Sequence, residues 1–336
     1  MLVVVLLAAL ACAGAGLIGL MVGSTGQLGW PGEPMIRNVR LDRVAISSLV
    51  GALLACAGVA YQASLKNDLA EPYLLGVASG SALASYLWTW AVISGTISVG
   101  YVLTGIGQQV VSFIGAIAAV AVVMLVAGVR RIRRGAGDLS ADSSAIILSG
   151  VVISTICGAA ILTLSQFMRA VPGMVGVEQL LIGGIRTDIS DAGFYCSLAI
   201  LVAGIGYLFW HVASMNLLTL GDDQAMSMGL ETRAARVWLL VVASLMASAA
   251  VALAGPIGFI GLICPHAARR LIGVDHRLLV PASAALGAVL LTLADATSRG
   301  LAGESLLGQM LPVGVITAVV GGPVFLLLLS RQGGPR

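Results

Sequence analysis

The sequence predicts an all-α polytopic membrane protein of ten transmembrane helices, forming one domain over residues 1–336, with a weak inverted repeat between spans 2–5 and spans 7–10. Composition comes first: 59% of the 336 residues are hydrophobic and only 10% charged, against about 25% charged in soluble domains. Second, apolar stretches of about 20 residues, the length that crosses a bilayer, recur along the chain. Third, 43 glycines with only 5% aromatic residues fit helices whose backbones approach closely at small residues.

The spans fall near 2–22, 44–64, 74–95, 104–129, 144–167, 192–212, 236–254, 256–273, 280–297 and 309–329. The first lacks a basic leading region, so it reads as a retained span rather than a cleaved signal peptide. The eighth is interrupted by GLICPHAARRLIG, 261–273, which sets Pro265, His266, Arg269 and Arg270 among apolar residues. An even count puts both termini on one side. With that side cytoplasmic, the inner loops and tail hold Lys66, Arg130, Arg131, Arg133, Arg134, Arg233, Arg236, Arg277, Arg331 and Arg336. The outer segments hold Arg37, Arg40, Arg43, Arg169, Arg186 and Arg299. Ten against six sets both termini in the cytoplasm.

Two inner connections carry more pattern than a linker needs. One is KNDLAEPYLLGVASG, 66–80. The other, MNLLTLGDDQAMSMGLETRAAR, 215–236, reads as two short helices split at Gly221. Asp222 and Asp223 then occupy the first turn of the second helix, where acidic charge complements the helix dipole. This loop holds Asp222, Asp223 and Glu231 and no basic residue before Arg233. Anionic lipid attracts basic faces, so the loop reads as a docking surface for a cytosolic partner. The segments 52–76 and 248–273 share a small-residue helix end, a polar interruption and a closing Leu/Gly. Their opposite directions in the ten-span order are those of an inverted repeat.

Several chemistries are excluded. The chain's one lysine, Lys66, is followed by Asn67, so no G-x-x-x-x-G-K-[ST] loop exists and ATP hydrolysis belongs to another subunit. His211, His266 and His276 include no i,i+4 pair, which leaves no zinc-hydrolase motif or metal site. G-x-S-x-G is absent and no catalytic residue is assigned. Cys12, Cys56, Cys157, Cys196 and Cys264 are odd in number and sit in apolar runs, against a disulfide framework. A net charge of +3 without a basic stripe excludes nucleic acid as a partner.

Four stretches then carry a resemblance: 40–83, 216–236, 255–299 and 311–329. They resemble the permease subunits of the binding-protein-dependent ABC importers for iron–siderophores, haem and cobalamin (the FecCD type, a type II importer transmembrane domain). The resemblance implies a homodimer of ten-helix subunits in a bacterial inner membrane, two cytoplasmic ABC ATPase subunits and an extracytoplasmic binding protein. ATP and Mg would sit on the ATPase partner, with no cofactor on this chain. It makes residues 213–234 the coupling helices, with contacts at Leu217, Leu220, Gly221, Asp222, Ala225, Met228 and Gly229. It assigns Arg40, Arg43 and, more loosely, Arg299 to binding-protein docking, with Arg40 serving equally as an interfacial anchor. Ser79 and Gly80 become gate candidates faced by Thr155 and Cys157, although small residues there serve packing equally well.

The sequence departs from the family pattern at Asp68, where N-P-L-A has proline, and at Asp42, where R-L-P-R has proline. It also lacks the tryptophan common within 178–187. Iron–siderophore is the first expectation for cargo, then haem, for which His211, Met168 and Met174 are available, then cobalamin. A secondary transporter is the rival class, disfavoured because Asp295 and Arg299 are nearly the only charges within a span. Pro265, His266, Arg269 and Arg270 are expected to form a structural helix break, with His266 bonded to backbone rather than to iron.

Overall fold

The computed structural model describes residues 2–23, 29–73, 75–96, 101–134, 143–168, 182–187, 189–302 and 311–332. Every regular element among them is an α-helix. In chain order these are α1 (Leu2–Met21), α2 (Pro34–Leu65), α3 (Val77–Ile93), α4 (Tyr101–Arg134), α5 (Ser143–Met168) and α6 (Asp191–Trp210). There follow α7 (Val212–Leu220), α8 (Asp222–Ser227), α9 (Thr232–Ala254), α10 (Ile260–Ile272), α11 (His276–Ala302) and α12 (Val313–Gln332). Arg169, Met174 and Arg336 lie outside the described residues.

A helix stands at each of the ten apolar stretches. Six helices are long and apolar enough by themselves to cross a membrane: α2, α4, α5, α6, α9 and α11. At 1.5 Å per residue, the 13 residues of α10 extend only about 20 Å. The expected eighth span, 256–273, begins as four non-helical residues, 256–259, before α10 starts. In the second span, helix begins at Pro34 rather than residue 44, because proline fits the first turn, where no intrahelical N–H is required.

The core is built around α2, which buries every residue from Leu49 to Ser64. A helix with no exposed face must meet neighbours on all sides, and α2 packs on α1, α6, α7, α9, α10 and α11. Two of these approaches require glycine. A Cβ on Gly51 would lie 2.1 Å from the Gly287 carbonyl oxygen of α11, and one on Gly58 would lie 1.9 Å from the Gly261 carbonyl oxygen of α10. Polar pairs fix the register: Tyr61 Oη lies 2.6 Å from Ser244 Oγ of α9, and Ser81 Oγ of α3 lies 2.7 Å from Ser112 Oγ of α4. Gln108 Nε2 of α4 donates to Ser85 Oγ and to the Ala252 carbonyl, joining α3, α4 and α9. Such satisfied pairs are what keep polar groups tolerable in an apolar bundle.

Candidate functional site

Between α6 and α9 the chain makes the loop singled out in the sequence. His211 ends α6, its ring stacked on Tyr207 at 4.1 Å and its Nδ1 3.0 Å from the Tyr207 carbonyl. Helix α7 buries Val212, Met215 and Leu218, three positions along one face. The chain then breaks at Gly221, whose φ of 127° and ψ of 157° suit glycine alone. Asp222 and Asp223 begin α8, as the acidic first turn predicts. Gly229, at φ 84°, reverses the chain, and Leu230 N–H donates to the Ala225 carbonyl at 3.0 Å.

The surface this loop presents is narrower than expected. Leu220, Met228 and Gly229 are exposed and Leu217 is half-buried. Ala225 is completely buried; it anchors α8 to the bundle and is no contact residue. Met226, 53% exposed, stands beside it and was missed; an exposed apolar residue flanking a buried small one was the available signal. Asp222 faces inward to an ion pair rather than outward: its Oδ1 lies 2.5 Å from Lys66 Nζ and 2.5 Å from Arg236 Nη2. Burial opposes its ionisation, but the hydrogen bond from Lys66 and the charge of Arg236 together hold its carboxyl below the usual range. On α7, Asn216 Nδ2 donates to Asp275 Oδ1 at 2.9 Å, and Asn216 Oδ1 accepts from His276 N–H at 3.2 Å. The loop is therefore tied to α2, α9 and the start of α11.

Two helix breaks meet behind it. The first runs from Lys66 to Gly76. Asn67 shapes it by accepting from Leu69 N–H on its side chain, at 2.9 Å, and from Ala70 N–H on its carbonyl, at 3.0 Å. Asp68, at the proline position of the family pattern, pairs with Arg269 of α10 at 2.7 Å. The second break is 255–259, with Phe259 at φ 71°. Glu71 of the first break, buried to 3%, accepts the Phe259 N–H of the second. This places the Glu71 carboxyl at the start of α10, where burial pushes its pKa up to about 8 against the opposing hydrogen bond from Phe259.

Pro265 does not break its helix, which corrects the sequence reading. It lies inside α10, where it deprives the Gly261 carbonyl of its i+4 donor. Gln62 Nε2 of α2 supplies that donor instead at 3.3 Å, so the helix continues. Arg269 and Arg270 occupy its last turn, as expected, and His266 is half-buried between them and the proline.

Of the gate candidates, Ser79 and Gly80 lie on α3 and Thr155 and Cys157 on α5, two helices that pack on each other. Ser79 is half-buried. A Cβ on Gly80 would meet Ala119 Cβ at 2.6 Å and the Gly115 carbonyl at 2.7 Å, so Gly80 seats α3 on α4 rather than bordering a path. Thr155 is exposed and bonds its own helix at Val151, 2.9 Å away, whereas Cys157 is buried. Two positions apart on a helix, they point to different faces.

Of the three docking arginines, Arg299 is corrected by its burial, whereas Arg40 and Arg43 are half-buried. Arg299 is 1% exposed. Its Nε donates to Asp295 Oδ2 at 3.0 Å, and its Nη atoms donate to the Gly19 and Val22 carbonyls. Arg43 pairs with the same Asp295 at 2.6 Å. Arg40 donates to the Leu20 carbonyl at 2.6 Å and the Gly29 carbonyl at 2.9 Å. Helix α1 ends at Met21, so the Arg40 and Arg299 guanidinium groups cap the orphan carbonyls at that end. The buried Arg43–Asp295–Arg299 cluster also shows that charge within the bundle is concentrated, not nearly absent. Asp42, close in sequence to both arginines, is exposed and is not their partner. Among the described residues, no three His, Cys, Asp or Glu side chains are grouped to hold a metal.

The FecCD transport family profile matches residues 1–331. The hemin transport system permease protein HmuU of Yersinia pestis is 35% identical over 89% of this chain and 84% of its own length. The cobalamin import system permease protein BtuC of Halobacterium salinarum is 34% identical over 91% of this chain and 76% of its own. Among solved structures, a chain described as an inward-facing conformation of an ABC transporter assigned to the metal-chelate type superposes with a TM-score of 0.75 at 25% identity. It covers 98% of both chains.

Proposed function

Because this chain belongs to the FecCD transport family, we propose that it is the permease of an ABC importer carrying a ferric siderophore delivered by an extracytoplasmic binding protein. The observation that carries this reading is the loop split at Gly221. A loop anchored to α2, α9 and α11, yet exposing Leu220, Met226 and Met228, suits a protein partner that pushes on the bundle. In this reading two cytoplasmic ATPase subunits seat on that loop in a homodimer of the chain. ATP and Mg remain on those subunits, and the closure they drive reaches the helices through α7 and α8.

The ten-span topology with cytoplasmic termini belongs to the same proposal. Short α10 is part of it, since broken helices are tolerated where protein or a water-filled cavity surrounds them. The contact between the breaks at 66–76 and 255–259 supports an inverted repeat, whose broken helices meet at a common level in transporters. Haem is the second cargo reading, supported by the hemin-transport relative. His211 does not strengthen it, because its ring is stacked on Tyr207.

The test is co-expression with the cognate ATPase subunit and binding protein, followed by reconstitution in vesicles. Co-purification and ATP-dependent uptake of ferric siderophore are expected. Uptake without the ATPase, or an unchanged ATPase association when Leu220, Met226 and Met228 are all replaced by Asp, refutes it. Tighter capture of haem than of ferric siderophore by the binding protein would move the cargo assignment to haem.

A further inference from the structure

The chain's one lysine occupies an unusual backbone position. Lys66 closes α2 with φ 48° and ψ 38°, and among the described residues it shares a positive φ with only one other non-glycine, Phe259. Glycine adopts this left-handed conformation at lower cost and is the usual choice at a helix C-terminus. A side chain kept where glycine is easier points to a use for the side chain. Here the ammonium reaches Asp222 Oδ1 at 2.5 Å, and the same oxygen meets Arg236 Nη2 at 2.5 Å.

We infer that Lys66, Asp222 and Arg236 form a transmission clamp that makes displacement of α8 move the end of α2 and the first helix break. This rests on the proposed role of the 212–231 loop in receiving motion from an ATPase. The three residues join three elements at one oxygen: Lys66 ends α2, Asp222 opens α8, and Arg236 lies in the first turns of α9. From Lys66 the chain passes directly into the turn that holds Asp68 on Arg269 and Glu71 on the Phe259 N–H. A push on α8 thus meets both helix breaks within a few residues. The clamp side chains are between 20% and 30% exposed. Such pairs exchange with water readily enough to be remade in a cycle, which buried pairs are not. Lys66 and Arg236 are positioning residues: neither forms part of the exposed contact surface.

The test uses the complete importer, permease with its ATPase and binding protein, reconstituted in vesicles. Lys66→Gly removes the ammonium and relaxes the left-handed residue, so thermal stability is expected to hold or rise. Transport per ATP hydrolysed is expected to fall at least about fivefold, the lower end of ordinary coupling between sites. Lys66→Arg is expected to restore coupling, and Arg236→Gln to lower it while leaving the subunits associated. Transport per ATP unchanged in Lys66→Gly overturns the clamp. So does a fall in thermal stability of Lys66→Gly that accounts for its transport loss, which would make the pair structural. Failure of the unaltered chain to bind the ATPase is a separate result and removes the functional reading together with the clamp.

Discussion

Asp295→Asn isolates the energetics of the cluster at the end of α1. The aspartate divides its two oxygens between two cations: Oδ1 faces Arg43 Nη2 at 2.6 Å and Oδ2 faces Arg299 Nε at 3.0 Å. Asparagine keeps the shape but offers one acceptor, and it turns an NH2 donor toward a guanidinium. Arg299, 1% exposed, cannot recover its hydration. Leaving a buried charge without its partner costs about 3–5 kcal/mol. Arg43→Gln is the control, because it leaves Asp295 and Arg299 as a balanced pair and removes one charged hydrogen-bonding partner, for about 1.5 kcal/mol. Equilibrium unfolding of the purified chain in mixed micelles, with rising SDS fraction and tryptophan fluorescence as the signal, measures both. The reasoning fails if Asp295→Asn lies within about 1 kcal/mol of the unaltered chain, or if the two substitutions cost the same, since it requires an uncompensated buried charge.

Four further predictions use the same unfolding measurement or amide exchange. Gly58→Ala drives a methyl to within 1.9 Å of the Gly261 carbonyl oxygen; backbone there cannot yield, so a loss of at least about 2 kcal/mol is expected. Gly221→Ala meets no atom within 4 Å and costs only its backbone strain, roughly 1–3 kcal/mol. Gln62→Leu orphans the Gly261 carbonyl freed by Pro265, at about 1–3 kcal/mol, and Pro265→Ala in the same chain is expected to return most of it. Asp222 and Asp275 are both held below the usual carboxylate range, Asp275 chiefly by the Asn216 hydrogen bond. Their contribution is therefore fully present above the unfolded value of about 3.9 and is lost as pH falls through the lowered one. Amide protection across residues 212–231 is expected to decline first between about pH 6.5 and 4, as buried His276, held neutral against Asn216, takes up a proton, and to drop again near pH 3; protection level from pH 8 down to pH 3 would refute it.

What the sequence disclosed follows from how local each signal is. The division at Gly221 and the acidic start of α8 were legible because a glycine between apolar turns and two acids at a helix start act within a few residues. The positions of the ten apolar helices were legible from run length for the same reason. The burial of Arg299 and the ion pair of Asp222 were not legible because their partners at Val22, Gly19 and Lys66 lie 277, 280 and 156 residues away, and separation in sequence says little about proximity in a bundle. One signal was nevertheless present: Asp295 and Arg299 stand four apart within an apolar run, and buried charges are found paired. Pro265 misled because a proline announces a broken hydrogen bond but not whether another side chain repairs it. The break lay instead at 255–259, GPIGF, where Gly255 caps α9 and Pro256 cannot continue it, a signal the sequence did carry.

The two ends of the bundle are wired with different chemistry, and that difference predicts where the protein moves. At the end carrying Arg43, ion pairs and capped carbonyls bind α1, α2 and α11 around Asp295 and Arg299, each 1% exposed. Opening that cluster would strand charge without water. At the end carrying the split loop, the acid of each pair remains accessible, with Asp222 26% and Asp68 57% exposed. A broken pair there is rehydrated, so its net worth is small and its remaking inexpensive. A force applied through α8 therefore meets low resistance near Lys66 and high resistance near Asp295. Spin labels placed at the exposed positions Leu17 of α1 and Leu301 of α11 are expected to keep one separation through the ATP cycle. Labels at Met226 of α8 and Leu326 of α12, also exposed, are expected to show two. A Leu17–Leu301 separation that changes as much as the Met226–Leu326 separation would mean that the buried cluster opens, and that charge burial does not set the hinge.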